Sequence, residues 1–241
     1  MRTIILLILS GCVSLATYQT PYTIKKDELS WGLSTSGYVY YSNNRVGGVD
    51  GIPIKVTYNN IEVGGIPISI PAFYFRHGLS DNVDLGFSFV GFPFFGSTYL
   101  DLKNQFIRRE NFVGSSSVGM GFWFWFSETD NIRNFTFLQP FFVLSFGNER
   151  IYAGTKIQLF LLNWEQKSIY GQGYGQYKWI RQSSIAFTPS IFLGFTIGKH
   201  SLKPASEFDL MLPLSATDTR GEVVPLSGII FSYTFGFLYI P

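Results

Sequence analysis

Between residues 184 and 197 the chain alternates with a period of two. Ile185, Phe187, Pro189, Ile191, Leu193, Phe195 and Ile197 take the odd positions, with Ser184, Ala186, Thr188, Ser190, Phe192, Gly194 and Thr196 between them. Successive side chains of a strand point to opposite faces, so this segment has one oily face and one that is mostly small or polar. The C-terminal segment repeats the pattern, with Ile229, Phe231, Tyr233, Phe235, Phe237 and Tyr239 alternating with Gly228, Ile230, Ser232, Thr234, Gly236 and Leu238. Strands of soluble sheets average about five or six residues and turn charge rather than Phe to water. These segments run to about a dozen, the length of a tilted strand crossing a bilayer.

About ten such strands are predicted. They lie near Leu29–Tyr41, Ile66–His77, Val83–Phe94, Ser97–Phe106, Phe112–Phe126, Phe135–Phe146, Ile151–Asn163, Gln182–Ile197, Leu202–Leu214 and Leu226–Tyr239. Short connections (Ser80–Asn82, Arg108–Asn111, Gly147–Arg150, Lys199–Ser201) alternate with longer ones (Ser42–Gly65, Ser127–Asn134, Trp164–Arg181, Ser215–Pro225), the tight Phe95-Gly96 being an exception. Such alternation is expected of an up-and-down barrel with short periplasmic turns and long outer loops. An even strand count puts both termini at the short-turn end. Within Val46–Glu62, turn residues flank the strand-like Ile54–Tyr58, which reads either as a hairpin above the membrane or as two further strands, making about twelve.

Composition strengthens the membrane reading. Aromatic residues make up 18% of the 241, charged residues only 14%, and there are 25 Phe and 25 Gly. A soluble domain carries about a quarter charged residues. After Leu9 no uninterrupted apolar run approaches the roughly 18 residues of a membrane helix, so a chain that meets lipid must do so as a closed sheet. The net charge of +2 and the absence of a nucleic-acid motif leave no basis for a nucleic-acid partner. A single cysteine excludes an internal disulfide and a cysteine-built zinc site, and no cofactor or metal is implied.

The N-terminus has its own chemistry. Arg2, the apolar Ile4–Leu9 and the small Ser10-Gly11 form a secretory signal ending before Cys12. Leu9-Ser10-Gly11-Cys12 resembles the lipobox of bacterial lipoproteins. That resemblance implies a diacylglyceryl thioether on Cys12 and, with Val13 rather than Asp following, export to the outer membrane. Cleavage after Ser14-Leu15-Ala16 is the alternative. Ala16-Thr17-Tyr18-Gln19-Thr20-Pro21 and the hairpin Phe75-Arg76-His77-Gly78-Leu79-Ser80-Asp81-Asn82-Val83-Asp84-Leu85-Gly86 look like those of an uncharacterised family of bacterial outer-membrane β-barrel lipoproteins, in which an aromatic is more usual at the place of His77. This resemblance implies fold and location and attaches no activity. The chain then divides into a signal (1–11), a lipidated extended tether (12–28) and a barrel (29–241).

Face assignment puts Arg76, Asp84, Asp101, Lys103, Lys156, Lys203, Glu207 and Asp209 inside. Balanced charges in a narrow lumen must be paired, because an isolated buried ion costs several kcal/mol, so a packing network is expected rather than an ion path. Arg76 with Asp84, across the Ser80–Asn82 turn, is the expected pair. No catalytic residue is assigned: the two histidines, His77 and His200, sit at short turns, and the chain is read as no enzyme. Tyr170, Tyr174, Tyr177 and Trp179 in a Gly- and Gln-rich segment are candidates for rim binding of saccharide or a partner, beside the plainer role of seating at the membrane interface. The aromatic run Trp123–Phe126 is read as such an interfacial girdle. The sequence thus predicts an all-β, antiparallel, monomeric transmembrane barrel, its partners membrane lipids. Its role is structural or at the surface, with small-solute transport an open option. A lipid-modifying hydrolase or acyltransferase and an aromatic-loop adhesin are the alternatives.

Overall fold

The alternating segments pair with one another all the way round. In the computed structural model, which describes residues 20–42, 54–58, 61–92, 95–125, 132–169, 177–198, 201–212, 215–217, 223–225 and 229–241, the strands are β1 (Leu29–Ser42), β2 (Ile54–Tyr58), β3 (Ile61–Ser80), β4 (Val83–Phe92), β5 (Phe95–Arg109), β6 (Phe112–Trp125), β7 (Ile132–Gly147), β8 (Ile151–Ile169), β9 (Tyr177–Thr196), β10 (Leu202–Met211), β11 (Ser215–Thr217), β12 (Val223–Pro225) and β13 (Ile229–Tyr239). Long neighbours in the chain pair antiparallel, β10 joins both β9 and β13, and β13 joins β1. The result is a closed ten-stranded antiparallel barrel. Closure leaves no strand edge exposed inside a bilayer.

The remaining short strands settle the count at ten. β2 pairs only with the outer end of β3, Ile54 opposite Gly65 and Tyr58 opposite Ile61. It is a hairpin arm, not a barrel strand. β11 likewise continues along the outer end of β9 and folds onto β12. Other boundaries shift from expectation. Phe92 pairs with Phe95 and Gly91 with Gly96, so Phe95-Gly96 belongs to β5 rather than to the tight reversal. β8 and β9 stay paired to Ile169 and Tyr177, converting most of the expected Trp164–Arg181 loop into strand.

The two faces separate sharply. Trp31, Phe73, Phe87, Leu100, Ile191 and Phe235 are among the many large apolar side chains exposed on the outside. Along β10 and most of β13, exposed or half-buried positions alternate with buried ones. The inner positions of β9 and β13, Thr188, Ser190, Thr196, Ser232 and Thr234, are buried. A water-soluble barrel would invert this arrangement.

Candidate functional site: the lumen and its short-turn mouth

All eight inward positions named from sequence, Arg76, Asp84, Asp101, Lys103, Lys156, Lys203, Glu207 and Asp209, are buried. The register explains which of them meet. Arg76 on β3 stands opposite Gly86 on β4, and Gly86 stands opposite Asp101 on β5. The missing side chain at Gly86 lets the guanidinium cross that strand, since a Cβ there would lie 2.5 Å from Arg76 Nη2 and 2.3 Å from Asp101 Oδ1. Arg76 Nη2 donates to both Asp101 oxygens at 2.8 and 2.7 Å. Its Nη1 donates to Asp84 and its Nε to the Tyr74 hydroxyl. One guanidinium therefore serves two carboxylates, a use of its rigid planar fork. Asp101, expected inside, is a partner that the hairpin argument for Arg76 and Asp84 does not supply.

The other charges are distributed. Tyr152 donates to Glu207 Oε2 at 2.9 Å, Lys156 Nζ lies 6.0 Å from the centre of the Phe141 ring, and Lys203 Nζ is 3.5 Å from Glu149 Oε2 at the mouth. Lys103 turns to the chain's own N-terminal segment, donating to the Thr20 carbonyl at 2.6 Å.

That segment departs from the expected tether. Residues 20–28 enter the short-turn end of the barrel, with Thr20 and Ile24 buried. The Thr23 amide donates to Gln105 Oε1 at 3.0 Å, its hydroxyl reaches Gln105 Oε1 and the Asp81 carbonyl at 2.9 Å each, and the Ile24 amide donates to Asp84 Oδ2 at 3.0 Å. Asp27, at φ 64°, turns the chain into β1, its amide bonded to the Gly78 carbonyl at 3.0 Å. Asp accepts this left-handed conformation more readily than most residues. Beside the segment lies a cavity of about 240 Å³ lined by Tyr22, Lys25, Glu28, Arg108, Glu149 and Lys203, among others. Burial and then the Glu149 carboxylate push the Tyr22 hydroxyl above its ordinary pKa. No sequence period marks this segment, because it is held largely through its backbone amides and carbonyls by groups on distant strands.

His77 is exposed, in register with Leu29 and Leu85, whereas Asp84 is buried within the wall. His77 and Asp84 thus face opposite sides. Trp179 is half-buried on β9 and Tyr177 begins that strand, while Tyr170, Tyr174, His200 and the lipobox with Cys12 lie outside the described residues. Of the expected girdle, Trp123–Trp125 close β6 and Phe126 lies outside the described residues. Among the described residues no cluster of His, Cys, Asp and Glu could hold a metal ion.

The fold and lumen define the class: a closed antiparallel barrel with an apolar exterior. No family model matches the chain, and no curated protein matches it. Among solved structures it is similar to the outer membrane protease OmpT from Escherichia coli, at 11% identity over 90% of this chain and 98% of that one, TM-score 0.45. It is also similar to a FadL homologue of Pseudomonas aeruginosa (9% identity, 89% and 90% covered, TM-score 0.31) and to Ail, the attachment invasion locus protein of Yersinia pestis (10%, 88% and 98%, TM-score 0.29). The first of these corrects the expectation of a non-enzyme. That structure is an outer-membrane protease. Likeness at this level transfers no activity to the present chain.

Proposed function

We propose that the chain is an outer-membrane barrel, held additionally by a diacylglyceryl group on Cys12, with both termini on the periplasmic side. It serves as a structural or surface component whose lumen charges form a packing network. The observation that carries this reading is the belt of exposed Leu, Ile and Phe around a wall whose inner face is Ser, Thr, Gln and paired ions. Each outward aliphatic or aromatic side chain would waste about 1.5–3 kcal/mol if left in water. Acyl chains are the solvent that suits it. Arg76 bonded to Asp84 and Asp101 supports the packing role. The lipid on Cys12 and the orientation rest on the lipobox resemblance and on the even number of barrel strands.

Fractionation of cells producing the full chain tests this. The protein should co-purify with outer membranes, need detergent for extraction, and run on gels as a fast band converted to a slow one by heat. Mass spectrometry should show a diacylglyceryl increment lost in Cys12→Ala. A monomer soluble without detergent would contradict the barrel, and an unmodified Cys12 the anchor.

A further inference from the structure

We propose that residues 20–28 are a displaceable plug and that the barrel behind them is a channel for small hydrated ions, shut in the conformation described. The proposal rests on the membrane-barrel reading and goes beyond it. Its first support is how the lumen stores its large side chains. Phe192 lies against Gly154, Tyr152 against Gly194, Phe141 against Gly119 and Tyr99 against Gly121, each glycine directly opposite on a paired strand. A Cβ on these glycines would fall 2.3, 2.1, 2.5 and 2.4 Å from the respective ring. The rings therefore reach sideways along the wall instead of across the lumen. Arg76 does the same over Gly86.

The second support is polar. Ser88 Oγ, Gln139 Oε1, Gln158 Nε2, Thr188 Oγ1, Asp209 Oδ1 and Ser232 Oγ belong to buried side chains and have no hydrogen-bond partner in the protein. They come from β4, β7, β8, β9, β10 and β13, so they look inward from most of the circumference. Buried groups of this kind are satisfied by water, which needs polar partners and room. The third support is the mouth. Residues 20–24 are held by hydrogen bonds to the side chains of Asp84, Lys103 and Gln105 and to the Asp81 carbonyl, with Ile24 as the buried apolar anchor. Release of these contacts breaks no bond between barrel strands.

Gly78 offers a selective way to force release. The nearest atoms to a Cβ built there are the Lys25 carbonyl oxygen at 1.9 Å and the Ile24 oxygen and Lys25 carbon at 2.6 Å, all in the plug. The test is single-channel recording in potassium chloride with the full chain, Gly78→Val and a deletion of residues 20–26. Trypsin cleavage after Lys25 or Lys26 reports plug position in the first two. Heat-modifiable migration and co-flotation with vesicles report an intact, inserted barrel, so that loss of either condemns the barrel reading itself. The full chain should be silent and trypsin-resistant. Gly78→Val should be cut at least tenfold faster, and both variants should show discrete openings. With four cationic and four anionic side chains buried in the lumen, the reversal potential in a salt gradient should stay near zero. Adding Gly154→Val to the deletion, which drives Phe192 off the wall, should lower unit conductance at least twofold. Silence from an inserted deletion barrel, equal current from the unaltered chain, or a current indifferent to Gly154→Val would overturn the proposal.

Discussion

The lumen near the short turns and the lumen nearer the long loops are built on opposite principles. Near the turns, Arg76, Asp84 and Asp101 satisfy one another, and Lys103, Gln105 and Asp84 hold the backbone of residues 20–24. Farther from the turns, on β7 to β10 and β13, Gln139 donates to Gln158 at 2.8 Å, yet Gln158 Nε2, Thr188 Oγ1, Asp209 Oδ1 and Ser232 Oγ lack protein partners. Both regions are buried and polar. Burial of polar groups is therefore not one structural device here: in one region protein groups answer the charges of Arg76, Asp84 and Asp101, and in the other several buried polar atoms have no partner in the protein.

Substitutions that break the first region should cost most. Arg76→Met leaves Asp84 and Asp101 buried without their cation, and removal of one partner from a buried pair costs about 3–5 kcal/mol. The temperature at which the fast gel band is lost should fall further than for any other single change considered. Asp84→Leu should cost less, because Asp101 still answers Arg76, but it also frees the Ile24 amide and should speed trypsin cleavage after Lys25. An unchanged unfolding temperature in Arg76→Met would show that the triad contributes nothing.

The glycine slots come next. Gly194→Val places methyl groups where the Tyr152 ring lies and should destabilise the barrel by about 1–3 kcal/mol, the usual cost of overpacking. Denaturant unfolding in detergent measures it, and a neutral result would mean that the ring has free space beside it. Thr23→Val, which removes a hydroxyl bonded to both Gln105 and Asp81, should cost about 1 kcal/mol, read as faster trypsin cleavage of the plug. Smallest of all should be Thr188→Val in the second region. A group that already lacks a protein partner loses little, and the expected change is within about 0.5 kcal/mol. A large loss there would mean that the two regions are alike.

Much of this architecture was legible in the sequence because a barrel wall imposes a period of two on every strand. Ile191 and Leu193 lie outward and Thr188 and Ser190 inward for that reason alone, and the inward charges follow the same parity. The count was ambiguous because Ile54–Tyr58 is a genuine strand that pairs on one side only. The outer ends of β8 and β9 read as a loop because Glu165, Lys167 and Arg181 are charged, although Glu165 stands opposite Arg181 in the ladder. The expectation that the chain is no enzyme had only the placing of two histidines behind it. The plug and the glycine slots needed register. Gly154 and Phe192 are far apart in the chain, and nothing in either local pattern announces that one leaves room for the other. Thr20–Glu28 carries no alternation at all, since most of its partners recognise its main chain.

The barrel's short-turn mouth is filled by the chain's own residues. Amide hydrogen exchange of the full chain in detergent micelles tests it most directly at Ile24, whose N–H donates to Asp84 inside the wall. Exchange slowed at least a hundredfold relative to an unstructured peptide, and restored to the peptide rate by Gly78→Val, is the predicted result. Exchange at the peptide rate in the unaltered chain would contradict it and return residues 20–28 to the role of a free tether.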